Sequence, residues 1–473
     1  MVFSSTVFTF LFLPVVLALY YLAKERYRNA ILLAASILFY AYGEPYFVFI
    51  MLASVLLNYL FALWIDKHRG TRKASVILAA DVILNLGILF VFKYLDFSIR
   101  VIDSVFKRDL APIGIALPIG ISFFTFQAMS YVIDVYRGTA AVQKNPLNVA
   151  LYISFFPQLI AGPIVRYNTI AEQIQKRTCS LEKFGEGAKR FMTGFGKKVI
   201  LANNLALVAE EAFRQTDFAS GTLAYSWLGA IAFSLQIFYD FSGYSDMAIG
   251  LGKMFGFEFL ENFDYPYISA SVTEFWRRWH MSLGQWFRDY VYIPLGGSRK
   301  GTGRTIRNLL IVWLLTGIWH GANYTFIFWG LAYYVLLLVE KYVIRPGKRG
   351  KVIRVFWRIV TLLCFNFLWV LFNSPSMNYA MNYLLSMAGW FRTPLGLTAP
   401  AVLRIFREYG GYYLLGILFA MPVWKKLEGK LAASKKGCAV LSYAFPVLYM
   451  LMFLWAVSFL ILGAHNPFIY FNF

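Results

Sequence analysis

A chain of 473 residues with 59% hydrophobic, 19% aromatic and only 15% charged residues is too apolar for a water-soluble globule and reads as a polytopic membrane protein. Its formal net charge of +21 would suit a nucleic-acid binder, yet no basic-aromatic binding module or zinc pattern accompanies it and the charge sits in short connectors between apolar runs. Positive-inside topology accounts for the charge, and the widely spaced Cys179, Cys364 and Cys438 support neither a disulfide framework nor a thiolate metal site.

The first apolar run, Val7 to Leu22, lacks a basic segment before it and a small-residue cleavage site after it, while Lys24, Arg26 and Arg28 follow. It is expected to be an uncleaved first span with the N-terminus outside. Ala30 to Tyr42 gives a second run, Gly43–Glu44–Pro45 an outer turn, and Tyr46 to Trp64 a third run ending at the inside marker Lys67, Arg69, Arg72 and Lys73. Ala74 to Phe92 makes a fourth span, and Lys93 to Asp109 an amphipathic segment. In Pro112 to Val135 and again in Leu147 to Pro163, prolines, glycines and polar residues interrupt the apolar pattern. Such backbone at membrane depth is tolerated only where it lines protein or a cavity, so both are expected as kinked or re-entrant pieces.

Glu172 to Lys198 is the most soluble stretch and is cytosolic by its charge. Val199 to Phe213 is expected to span wholly or in part, and Leu223 to Tyr239 to span. The string YDFSGYSD that follows brings Asp240, Ser242, Tyr244 and Asp246 together. The two acids either cap helices, pair with arginines further along, or meet a substrate.

The stretch from Phe275 to His320 is the most informative. Its first part mixes Trp276, Trp279, Trp286 and Phe287 with Arg277, Arg278, Arg288 and Asp289, the composition of a helix lying at the headgroup level. Its second part, Leu309 to Trp319, is apolar apart from Thr316 and ends on His320. An ionisable group closing an apolar run is costly and either functional or bonded to a neighbouring helix. Beyond it, spans at Phe326 to Val339, Ile359 to Leu371, Leu414 to Val423 and Val440 to Leu462 alternate with basic connectors and a long outer segment around Asn373 to Arg407, which puts the C-terminus outside. The sum is an all-α polytopic membrane protein with roughly 11 transmembrane helices plus re-entrant or interfacial ones. No internal repeat marks the inverted symmetry common among transporters.

The strings PQLIAGPIVRY, FYDFSGYSDMAIGLGKMFGF, ENFDYPYISASVTEFWRRWHMSLGQWFRDYVYIPLGG and LLTGIWHGANYTFIFWGL, in that order between Phe156 and Leu331, resemble the membrane-bound O-acyltransferase family. The likeness is strongest to its bacterial branch of alginate O-acetylation membrane proteins. It implies a ring of helices around a central tunnel or funnel open to both faces, in a single membrane domain: N-terminal helices over 1–111, a catalytic core over 112–345, and C-terminal helices with an aromatic tail over 346–473. It implies a characteristic central histidine, which His320 matches, and a second histidine, which His280 matches.

The chemistry suits those residues. Acyl transfer from a thioester to a hydroxyl needs a base at neutral pH, and an imidazole titrates there. No GxSxG elbow or nearby cysteine suggests a covalent acyl-enzyme at this centre. The 40 residues between His280 and His320 do not form a zinc spacing, so no metal and no bound cofactor are expected. The acyl donor would be a cytosolic thioester, acetyl-coenzyme A or an acyl carrier protein. Arg277, Arg278 and Arg288 either meet its phosphates or acidic face or simply obey topology.

The end of the chain, HNPFIYFNF, resembles the tyrosine-bearing C-terminus of the small partner peptide in bacterial teichoic acid D-alanylation. Tyr470 either relays the acyl group, a role its phenol suits as a leaving group, or anchors the chain at the interface. The resemblance further implies a bacterial inner-membrane location, a polysaccharide or other envelope polymer as acceptor, and a serine-hydrolase-like acetyltransferase outside the membrane as partner. A transporter or flippase of an anionic substrate, with the His and Asp residues relaying protons, and a non-catalytic scaffold remain as alternatives.

Overall fold

Inside hydrocarbon every main-chain N–H and C=O must find a partner within its own segment, so apolar runs of this length can only be helical. The computed structural model describes residues 1–215, 218, 222–346, 350–391 and 399–469, and every regular element among them is a helix. Five of these helices are long and apolar enough to cross a membrane: Phe47–Lys67, Arg72–Lys93, Tyr324–Ile344, Lys351–Asn373 and Lys435–Ile461. Phe8–Leu22 is apolar but shorter. The chain is a multi-pass membrane protein.

The contacts divide the chain into two units: Met1–Phe191 with Tyr244–Leu260, and Met192–Gly243 with Glu261–Phe473. In the first, Glu25–Gly43 ends at Glu44, as the Gly–Glu–Pro turn predicts, and Phe47–Lys67 follows. The interrupted stretch after Pro112 becomes the helix Ile121–Arg137, buried along most of its length. Its start needs a glycine: Gly120 has φ 78°, and a Cβ there would stand 2.8 Å from the carbonyl oxygen of Leu159. The second interrupted stretch breaks at Phe155 between the helices Pro146–Ser154 and Phe156–Leu159, and the released N–H of Phe156 donates to Ser36 Oγ at 3.1 Å. Phe156 packs against Phe3, Phe8, Phe12 and Phe39 in an aromatic cluster.

The helix expected over Leu223 to Tyr239 instead runs on to Met254, 32 residues in all, so the FSGYSD string is helical rather than a connection. Gly243 on this helix lets the carbonyl of Gly194 approach, since a Cβ would lie 2.8 Å from that oxygen. Gly194 belongs to a helical path that runs as Leu181–Gly196, a π-helical turn Lys197–Ala202, and Asn203–Phe213.

Candidate active site

His320 is the last residue of the helix Thr302–His320, and its position follows from how that helix pairs with the next one. The two form a hairpin turned by Gly321–Ala322–Asn323, in which the Asn323 side chain accepts from Thr325 N and so caps the helix Tyr324–Leu338. The helices touch main chain to main chain. A Cβ on Gly317 would stand 2.5 Å from the Phe326 carbonyl oxygen, and one on Gly330 2.4 Å from that of Trp313. No side chain fits at either contact, so the depth of His320 is set by backbone. The imidazole, 5% exposed, is walled by rings, with Trp329 at 4.9 Å, Trp319 at 5.0 Å and Phe372 at 5.2 Å between centroids.

His280 stands between two seven-residue helices, Val272–Arg278 and Met281–Phe287, with φ 45°. A histidine in left-handed backbone is held there by its surroundings. Asp264 N donates to Arg278 O at 2.9 Å and Met281 N to Asn262 O at 3.0 Å, so the segment 262–264 braces the chain on both sides of His280. Asn262 Oδ1 also receives Ser282 N at 3.1 Å and Ser282 Oγ at 2.9 Å, and lies 3.2 Å from His280 Nδ1. A main-chain N–H can only donate, so the Asn262 atom is the oxygen. His280 Nδ1 must therefore carry the proton, which leaves the lone pair of the neutral ring on Nε2.

His280 lies outside the five long apolar helices, and burial pushes its imidazole down to about 3. Phe241 meets its ring edge-on at 4.5 Å, and Trp319 lies 6.0 Å away. Trp319 thus packs against both histidines, which sequence alone separates by 40 residues.

The N-terminus of Val272–Arg278 is fixed by an acid from another helix. Glu340 accepts from Val272 N at 2.7 Å and Thr273 N at 3.0 Å, and from Trp357 Nε1 at 2.9 Å. The rings expected at the headgroup level pack against the protein itself. Phe275, Trp279, Trp286 and Phe287 are buried. Trp279 packs 4.9 Å from Trp369, and Trp276 4.8 Å from Trp313 and 4.9 Å from Tyr333.

A family model, described as MBOAT, membrane-bound O-acyltransferase family, matches residues 35–385. The chain belongs to the membrane-bound O-acyltransferase family. It is an acyltransferase, and among similar proteins is "Probable alginate O-acetylase AlgI" of Azotobacter vinelandii, 40% identical with all of both chains covered. "Peptidoglycan O-acetyltransferase" of Helicobacter pylori is 31% identical over 90% of this chain and 87% of its own. "Teichoic acid D-alanyltransferase" of Bacillus subtilis is 31% identical over 49% of this chain and 61% of its own.

The remaining residues singled out in the sequence of this acyltransferase fall into three groups. Arg278 is engaged within the protein, 3.0 Å from both Glu274 and Asp264, while Arg277 is exposed and Arg288 pairs with its neighbour Asp289 at 2.8 Å. Asp240 and Asp246 do pair with cations that precede the central stretch. In the second unit Asp240 meets Lys198 at 2.6 Å, and in the first Asp246 meets Arg190 at 2.7 Å. Lys198, expected in a solvated cytosolic run, is buried because its ammonium is matched by that carboxylate. Tyr470 lies outside the described residues. Among those residues no group of three or more His, Cys, Asp or Glu side chains is placed to hold a metal.

Sequence reading missed Asn262 and Glu340. Asn262 is a loop amide with no hydropathy signature. Glu340 did carry a signal, an acid at the very end of an apolar run.

Proposed function

We propose that this protein is an O-acetyltransferase that moves acetyl groups from a cytosolic thioester through a funnel between its helices, roughly 11 of them transmembrane, to a hydroxyl on the outer side. The acceptor follows the names of its relatives, a polysaccharide or other cell-envelope polymer; the setting is the bacterial inner membrane, and a serine-hydrolase-like partner outside completes the transfer. The observation that carries the proposal is the pair of buried imidazoles on one indole, His280 and His320 around Trp319.

His320 acts as the general base. The acceptor oxygen attacks the thioester carbonyl, its proton passes to the imidazole, the C–O bond forms and the C–S bond breaks, and the proton leaves with the departing thiolate. The surrounding rings exclude water, which suppresses hydrolysis of the thioester. His280, neutral and oriented by Asn262, offers its Nε2 lone pair as a fixed hydrogen-bond acceptor beside the reacting groups. Tyr470 takes the acetyl group first and hands it on, as a phenol ester is the better leaving group of the two oxygen esters involved.

The test is turnover of labelled acetyl-coenzyme A, and in parallel acetyl carrier protein, by purified wild type and His320→Ala in lipid, with the C-terminal peptide analysed by mass. Wild type should consume one donor and carry label on Tyr470, while His320→Ala should lose about 100-fold or more, the usual share of a general base. Unchanged turnover in His320→Ala would remove the base. Donor use without label on Tyr470 would remove the relay and leave the acceptor on a partner.

A further inference from the structure

One buried ion pair lies outside the steps proposed above for acyl transfer. Lys198 Nζ and Asp240 Oδ1 are 2.6 Å apart, with side chains 3% and 1% exposed. Such a pair is a poor source of stability, because removing two charges from water costs about as much as their attraction returns. Its remaining contacts point elsewhere. The Lys198 ammonium donates to the main-chain carbonyl of Pro467. The other carboxylate oxygen, Asp240 Oδ2, accepts from the main-chain N–H of Ile469 at 2.9 Å.

Around these lie matching contacts to the same short segment. Asn203 Nδ2 donates to Asn466 Oδ1 at 3.2 Å, Glu210 Oε1 is 2.7 Å from His465 Nε2, and the Lys198 ammonium is 5.8 Å from the centre of the Phe468 ring. Phe468 and Ile469 are both buried, and residues 464–468 belong to no helix. A cation thus meets a main-chain acceptor and an anion meets a main-chain donor, two residues apart. The charges are arranged to bind peptide backbone.

We infer that Lys198 and Asp240 form a binding slot for a short non-helical peptide, which this chain fills with its own residues 465–469. The slot reads the backbone through two opposite charges. Selectivity comes from what flanks them: an asparagine amide met by Asn203, a proline whose carbonyl is used and whose missing N–H asks for nothing, and two apolar side chains that are buried. A free peptide of the same chemistry fits once the resident segment is loosened. The π-helical turn that carries Lys198 belongs with this role, since such turns gather at functional sites.

The experiment uses the full-length protein in lipid nanodiscs. Ile469→Pro deletes the N–H that Asp240 accepts and leaves both charges in place, while Ile469→Ala shortens the same side chain and keeps the N–H. Each is placed beside Phe468→Cys, whose alkylation is read by mass on the C-terminal peptide, apart from the three native cysteines. Losing a charge-assisted hydrogen bond should speed alkylation in Ile469→Pro by roughly ten- to a hundredfold over Phe468→Cys alone, and by far more than in Ile469→Ala.

A fluorescent synthetic peptide of residues 464–473 should then bind the Ile469→Pro protein saturably and fail to bind wild type, whose slot is occupied. Equal alkylation in the proline and alanine proteins would overturn the slot. Faster alkylation with no peptide binding would overturn it as well, by showing a local loosening without a site. Asn203→Ala, which removes only the contact to Asn466, provides a milder route to the same readout. There the expected gain in alkylation is about two- to tenfold, and no gain would count against the slot.

Discussion

His280 combines three constraints that rarely meet in one residue: left-handed backbone at φ 45°, near-complete burial, and a side-chain nitrogen tied to Asn262. Together they fix both where the ring points and which nitrogen holds the proton. Burial holds the folded imidazole at about 3, whereas an exposed one titrates near 6.5. Between those values the unfolded chain binds the extra proton and the folded one does not, so this residue makes the protein less stable as pH falls below about 6.5. At pH 5 the loss attributable to one such histidine is about 2 kcal/mol. Thermal unfolding of wild type and His280→Gln at pH 7.5 and pH 5.0 should therefore show wild type losing more on acidification. A difference that stays constant between the two pH values would mean that protons reach His280 in the folded state.

At the scale of elements, the candidate site is a helical hairpin that turns just after His320 and a broken helix bent at His280. Glu340 couples to the second of these from within a long apolar helix, capping Val272–Arg278 while holding Trp357. Replacing Glu340 by Gln puts an amide group where three donors converge, and at most one oxygen remains to accept them. Stability should drop by about 2–3 kcal/mol, and acyl turnover should fall with it because the segment carrying His280 loses its anchor. Unfolding temperature and turnover measured together would show this, and an unchanged pair would mean that the cap is idle.

Much at this scale was legible in the sequence. The Gly43–Glu44–Pro45 turn, the break near Phe155 and the end of a helix at His320 all follow from local signals. The bend at His280 was not, because the braces that make it come from Asn262 and Asp264, well upstream. The packing of the Trp side chains was hidden for a related reason. Aromatic rings at an interface and aromatic rings packed on other rings have the same composition, and only the partners Trp313, Tyr333 and Trp369 distinguish them.

For the whole molecule, charge sets the orientation and hydropathy sets the spans. Within the first unit, Phe47–Lys67 separates the exposed Tyr46 from the basic turn before Arg72. Cysteines placed by Tyr46→Cys and Thr71→Cys should label from opposite sides of the membrane, the second only from the cytosol. Labelling of both from one side would mean that Phe47–Lys67 does not cross the membrane.

The cradle that Lys198 and Asp240 make for the main chain of Pro467 and Ile469 has a consequence in time. Lys198 and Pro467 are 269 residues apart, so at about 5–20 residues per second the ribosome needs roughly 13 to 54 seconds to pass from one to the other. Once Asp240 has followed, 42 residues after Lys198, the carboxylate and the ammonium are both made and the backbone they hold is not. A nascent chain is therefore open at this point until residues 465–469 emerge. A product stalled before Pro467 would keep two buried charges without the main chain they hold, and residues 465–469 close that gap once they are made.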